Sequence, residues 1–74
     1  MEATLRNHIK VERARRNLTQ EQLAELAGVT RKTINTIETG RFVPSTMLAL
    51  KLAQVFDVRV EDLFELDERP SAPE

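Results

Sequence analysis

The sequence predicts an all-α domain of five short helices, and three observations carry that prediction. Apolar residues recur at helical spacing from Leu5 to Leu66. Thr19, Thr30 and Ser45 stand where N-caps belong. The only two glycines, Gly28 and Gly40, stand where helices must stop. Neither a repeat nor a strand-like alternation is read from the chain. At 74 residues it makes one domain at most. A chain this short buries only about 60% of its unfolded surface, so close helix packing or a second copy would help to stabilise it.

The first helix is expected over residues 4–16, with Leu5, Ile9 and Arg13 on one stripe and Asn17 as a left-handed C-terminal cap. Thr19, followed three residues later by Gln22, has the spacing of a capping box and opens a second helix over 20–27. Leu23, Ala24 and Ala27 turn inward, and Gly28 ends the helix because glycine accepts positive φ without steric cost. Thr30 caps a third helix over 31–39 that buries Ile34 and Ile37 and stops at Gly40. Pro44-Ser45 opens the fourth, whose buried face is Leu48, Ala49, Leu52, Ala53 and Phe56. A short fifth helix is expected around 61–66, with Glu61 and Asp62 near its positive dipole end and Arg59 a poor N-cap. The helical domain is therefore drawn over residues 1–66, and 67–74 are expected to form an acidic, proline-containing, disordered tail.

Composition excludes several classes of function. There is no cysteine, so neither a disulfide nor Cys-ligated zinc is available, which fits a reducing cytoplasm. No apolar run approaches the ~20 residues of a membrane span, and residues 1–10 hold no signal-peptide core. The single histidine, His8, has no metal-binding companion, and the serines, Ser45 and Ser71, are a cap and a tail residue. Neither a catalytic constellation, a metal site nor a phosphate-cradling glycine loop is offered, so no enzyme activity, cofactor or small-molecule substrate is expected. The net charge of −1 is unevenly spread. Residues 1–56 carry nine Lys/Arg against five Glu, a net +4, and residues 57–74 carry two Arg against seven acids, a net −5. A basic body with an acidic end can present a positive face to phosphate, although two ordinary solvated surfaces would look the same.

The pair of helices over residues 20–39 is more specific than two helices joined by a glycine turn. Ala24 is small where helices cross steeply, and Val29 can fill the gap beneath the turn. Opposite Ile34 and Ile37, the third helix is wholly polar: Arg31, Lys32, Asn35 and Thr36. Residues 32, 35 and 36 are neighbours at i, i+3 and i+4. Arg and Lys donate to guanine, Asn pairs with adenine, and Thr offers a hydroxyl and a methyl, so this is the chemistry of a helix that reads the major groove.

On these residues the chain resembles the Xre/Cro family of helix-turn-helix regulators, the lambda repressor-like domains, in their compact single-domain form. The matching stretch runs from Leu18 to Arg41 (LTQEQLAELAGVTRKTINTIETGR), with Pro44-Ser45 and Phe56–Phe64 (FDVRVEDLF) also similar. Arg59 departs from the usual capping Ser or Thr. The resemblance implies a transcription regulator, a repressor that binds a palindromic double-stranded operator. Some of Val60, Leu63, Phe64 and Leu66 must pack on Phe56 and Leu52; the remainder, with Leu50 or Val55, could make a homodimer contact through the C-terminal helix, or all could simply close the core. Arg31, Lys32 and Thr36 would read bases, and Asn35 would reach base or backbone. Gln20 would contact a phosphate and could also reach a base edge, and Thr30, Thr39 and Arg41 would hold phosphates, with backbone amides near Arg41 assisting. The resemblance also implies a structural Arg13–Glu38 bridge between the first and third helices. For Lys10, Arg15 and Arg16, phosphate contact and a plain solvated face stand level. An alternative is a protein-binding module such as an antitoxin, whose DNA binding would be autoregulatory.

Overall fold

The computed structural model of the protein describes residues 2–69. Two strands bracket five helices: β1 (Glu2–Asn7), α1 (Ile9–Arg15), α2 (Gln20–Ala27), α3 (Arg31–Glu38), α4 (Thr46–Phe56), α5 (Val60–Leu63) and β2 (Phe64–Arg69). β1 and β2 form an antiparallel ribbon that joins the two ends of the described chain, with Leu5 opposite Leu66, Arg6 opposite Glu65 and Asn7 opposite Phe64. None of the described helices is long and apolar enough to cross a membrane.

The fold is therefore not strictly all-α. The first helix begins at Ile9 rather than residue 4, the fifth is a single turn rather than 61–66, and the boundary expected after residue 66 falls inside β2. The remainder of the expected tail, 70–74, lies outside the described residues. Side chains of a strand alternate between faces, which puts Leu5, Asn7, Phe64 and Leu66 on one side of the ribbon and Arg6 and Glu65 on the other. Phe64 is buried and Leu5 packs against the core, while Leu66, beyond the helices, is exposed.

Local chemistry sets the helix ends as the sequence predicts. The Thr19 hydroxyl accepts from Gln22 N–H while the Gln22 side chain accepts from Thr19 N–H. Thr30 and Ser45 accept from Thr33 and Leu48. Gly28 sits at φ +72° with open space around its α-carbon, so the backbone angle, not crowding, calls for glycine. Asn17 and Asp57, at φ 54° and 56°, are left-handed too, a conformation that short polar side chains tolerate. At α5, Arg59 offers no side-chain cap, and the Asp62 carboxylate instead accepts from Arg59 N–H.

Ile9, Leu23, Ile34, Ile37, Leu52, Phe56 and Leu63 are fully buried and draw all five helices onto one core, which Ala24 and Ala27 complete. Two polar clamps hold its periphery. Buried Glu12 pairs with Arg15 at 3.1 Å and Arg16 at 2.7 Å. Arg16 also donates to the carbonyl of Phe56 and lies 5.0 Å from the centre of its ring, so it closes the end of α4 and joins it to α1. Asn7 forms the second clamp. Its carbonyl oxygen accepts from Ile9 N–H at 3.2 Å and its amide nitrogen donates to the Ile37 carbonyl at 3.0 Å. One side chain thus starts α1 and ties the ribbon to the last turn of α3. Asn7→Ala is expected to lower stability by about 1–2 kcal/mol in urea unfolding, the value of a cap and a partly buried hydrogen bond. A loss under about 0.5 kcal/mol would mean that the ribbon is not anchored through Asn7.

Candidate nucleic-acid interface

α2 and α3 are joined by a three-residue turn, Gly28 to Thr30, whose Val29 packs on the core. Val29 N–H reaches back to the Ala24 carbonyl at 2.9 Å, and Ala24 itself is buried at the crossing. With Ile34 and Ile37 sunk in the core, the other side of α3 faces outward. Arg31, Lys32 and Asn35 are exposed there and line one shallow hollow, and Thr36 is partly buried beside them. Thr30 and Thr39, one residue before and one after the helix, are exposed, as is Arg41.

The cations divide by partner. Arg6, Arg13, Arg15, Arg16 and Arg59 each meet a carboxylate. Among the described residues Arg31, Lys32 and Arg41 meet none, nor do Lys10 and Lys51. Three unneutralised cations therefore lie on or beside α3, while Arg15 and Arg16, unlike Lys10, are paired with Glu12. His8 lies 3.2 Å from Glu65 across the ribbon, away from this face.

Beneath the exposed edge runs a connected polar chain. Arg13 grips Glu38 with two parallel hydrogen bonds, Nε to Oε2 at 2.7 Å and Nη2 to Oε1 at 3.1 Å. It also donates to the Leu18 carbonyl at 2.9 Å. The hydrogen bond to Glu38 is the main reason that the Arg13 pKa stands above its ordinary value. The Glu38 carboxylate takes a third donor, Gln20 Nε2 to Oε1 at 3.2 Å, and the same amide nitrogen lies 3.2 Å from Asn35 Oδ1. Gln20 is thus partly buried, with its amide nitrogen shared between Glu38 and Asn35, so it holds the Asn35 side chain in place. Loss of Gln20 would act on Asn35 first.

The end of α3 is closed on itself. The Arg41 and Phe42 amides both donate to the Thr36 carbonyl, at 2.9 and 3.1 Å, and the Thr39 hydroxyl donates to the Asn35 carbonyl at 3.0 Å. The backbone N–H of Arg41 expected to assist at a phosphate is occupied in this closure; the Arg41 side chain is not. Two residues absent from the sequence reading now matter. Asn7 positions the far end of α3. Phe42 is half exposed beside Lys32, Thr33, Thr36 and Arg41. An aromatic residue just after Gly40-Arg41 is the one signal that would have drawn attention to it.

Known proteins are similar to this chain in sequence and fold. Over residues 9–63 the chain matches the family described as helix-turn-helix. It is 47% identical over 64 residues to the uncharacterized HTH-type transcriptional regulator YgzD of Bacillus subtilis, covering 86% of this chain and 97% of that one. An uncharacterized HTH-type transcriptional regulator of Methanocaldococcus jannaschii is 50% identical over 60 residues, 81% of this chain and 91% of its own. Among solved structures, the restriction-modification controller protein C.AhdI from Aeromonas hydrophila is similar with a TM-score of 0.70 at 31% identity, over 74% of this chain and 83% of that chain.

Proposed function

The chain belongs to the helix-turn-helix family of Xre/lambda repressor-like transcription regulators that bind double-stranded DNA, and from that premise we propose that it is a repressor that lays α3 in the major groove of a palindromic operator. Arg31, Lys32 and Thr36 read base edges, and Asn35, steered by Gln20, reaches base or backbone. Thr30, Thr39 and the Arg41 side chain hold phosphates. The observation that carries this reading is the set of exposed cations beside α3 with no carboxylate partner among the described residues. A cation without an internal partner is free to displace counterions from DNA.

The regulator acts as a homodimer in the cytoplasm, by occupying DNA and without turnover, and the whole of residues 2–69 forms its DNA-binding unit. Exposed Met47 and Leu50 of α4 share an apolar hollow with Val58 and Val60 before and in α5. That surface supports a two-fold contact with a second copy. Leu66, in the middle of β2 opposite Leu5, does not line that hollow.

Selection of bound DNA from a random pool, at stated salt, tests the proposal. The expected product is an inverted repeat whose half-site centres lie about one helical turn, ~34 Å, apart. Affinity should fall linearly with log salt, with a slope near −0.9 per phosphate held. A pool that returns no enriched sequence, or only isolated half-sites, would count against sequence reading or against the dimer respectively.

A further inference from the structure

We propose that Phe42 is a base-reading residue whose ring packs on the C5-methyl group of a thymine in the major groove. This rests on the proposed docking of α3 and extends the reading edge beyond the helix. Phe42 keeps 48% of its surface exposed, although it is one of only three aromatic residues in the chain. The other two, Phe56 and Phe64, are buried. Its backbone is fixed to the recognition helix, because its N–H and that of Arg41 both end on the Thr36 carbonyl. Its ring is one wall of an open hollow whose other members are Lys32, Thr33, Thr36 and Arg41. Both cations of that hollow lack a carboxylate partner among the described residues, so the hollow suits a ligand that is anionic at its rim and apolar at one point. Duplex DNA provides that combination in the major groove, where the thymine methyl is the one apolar group on a base edge. Val43, the next residue, is also exposed but does not line that hollow, and the exposed Met47 and Leu50 line a different one and belong to the proposed dimer surface.

The test uses the full chain and its selected site, in which each thymine is replaced in turn by deoxyuridine, removing only the methyl. For the unaltered protein one replacement should weaken binding about fourfold, the value of one methyl group withdrawn from an apolar contact. Phe42→Ala should bind the thymine and uracil versions of that position equally and accept other bases there. It should keep the sensitivity of every other position. Thermal melting of Phe42→Ala alongside the unaltered protein verifies folding, which an exposed ring is not needed for. Identical uracil profiles in both proteins would overturn the assignment, as would a selected site without thymine or a uniform loss of affinity with the methyl effect intact. Those outcomes leave α3 as the reading helix. Failure of the unaltered protein to select any sequence would sink both proposals.

Discussion

Replacing Glu38 by alanine should cost about 3–5 kcal/mol of folding stability, because it strands the Arg13 guanidinium in a site from which water is largely excluded. The Arg13 side chain is only 15% exposed and that of Glu38 only 7%. Two short parallel hydrogen bonds hold them, and Glu38 is also the anchor for Gln20. In a domain of this size, whose core supplies ~3–5 kcal/mol net, this change brings the chain close to its unfolding midpoint at room temperature. The expected signature in urea unfolding is asymmetric. Glu38→Ala and Arg13→Ala are each severe, whereas Arg13→Met with Glu38→Leu, which removes both charges, costs much less than the sum. Glu38→Gln should be intermediate, since it keeps acceptor and shape but not charge. Losses under about 1 kcal/mol for Glu38→Ala would mean that the bridge is solvated in solution. The pair also bears on DNA: without Glu38, Gln20 loses one of its two anchors and holds Asn35 less firmly.

The other large effect is expected on binding. Arg31→Ala with Lys32→Ala should weaken the selected site by about 2–5 kcal/mol, roughly thirty- to five-thousandfold, while non-cognate DNA is weakened far less. In the proposed docking each cation donates to a guanine edge, a contact of about 1–3 kcal/mol when well made. Both are exposed and without a carboxylate partner among the described residues, so stability should stay within about 0.5 kcal/mol. Arg41→Ala serves as the contrast. It should weaken all sequences alike and reduce the salt slope by about one. Titration of cognate and scrambled duplexes at three salt concentrations separates these outcomes. If the double variant kept its ranking of sequences and lost only salt slope, Arg31 and Lys32 would be phosphate contacts and the reading edge would have to lie elsewhere.

Much of this molecule is legible along the chain because much of it is local. Thr19 with Gln22, Thr30 and Ser45 act on amides three residues away, and Gly28 answers to its own φ angle. The inward positions of α2, α3 and α4 follow from helical spacing alone. The polar edge of α3 is legible for the same reason: once Ile34 and Ile37 are inward, Arg31, Lys32 and Asn35 have only the outside left. The errors fall where the controlling partner is remote. Leu5 and Ile9 have helical spacing, yet Leu5 faces Leu66 across a ribbon. The alternation Phe64-Glu65-Leu66-Asp67 is too short to announce a strand without its partner. For Arg15 and Arg16 the sequence holds only half of the answer: Glu12, three and four residues before them, is a local partner, but the other partner of Arg16, Phe56, is forty residues away.

By itself, then, the sequence determined the helix-turn-helix, its caps, its core face and the identities on its outer edge. Each depends on contacts within a turn or two, or on the simple exclusion of charge from an apolar interior. Tertiary structure alone decided that the two ends of the described chain pair as strands, and that Asn7 fastens that ribbon to α3. It also decided which cations are neutralised by carboxylates among the described residues, and that Gln20 lies between Glu38 and Asn35 while Phe42 is held half exposed beside Lys32 and Arg41. Those outcomes depend on which distant groups come within about 3–4 Å of each other, a distance that only packing sets.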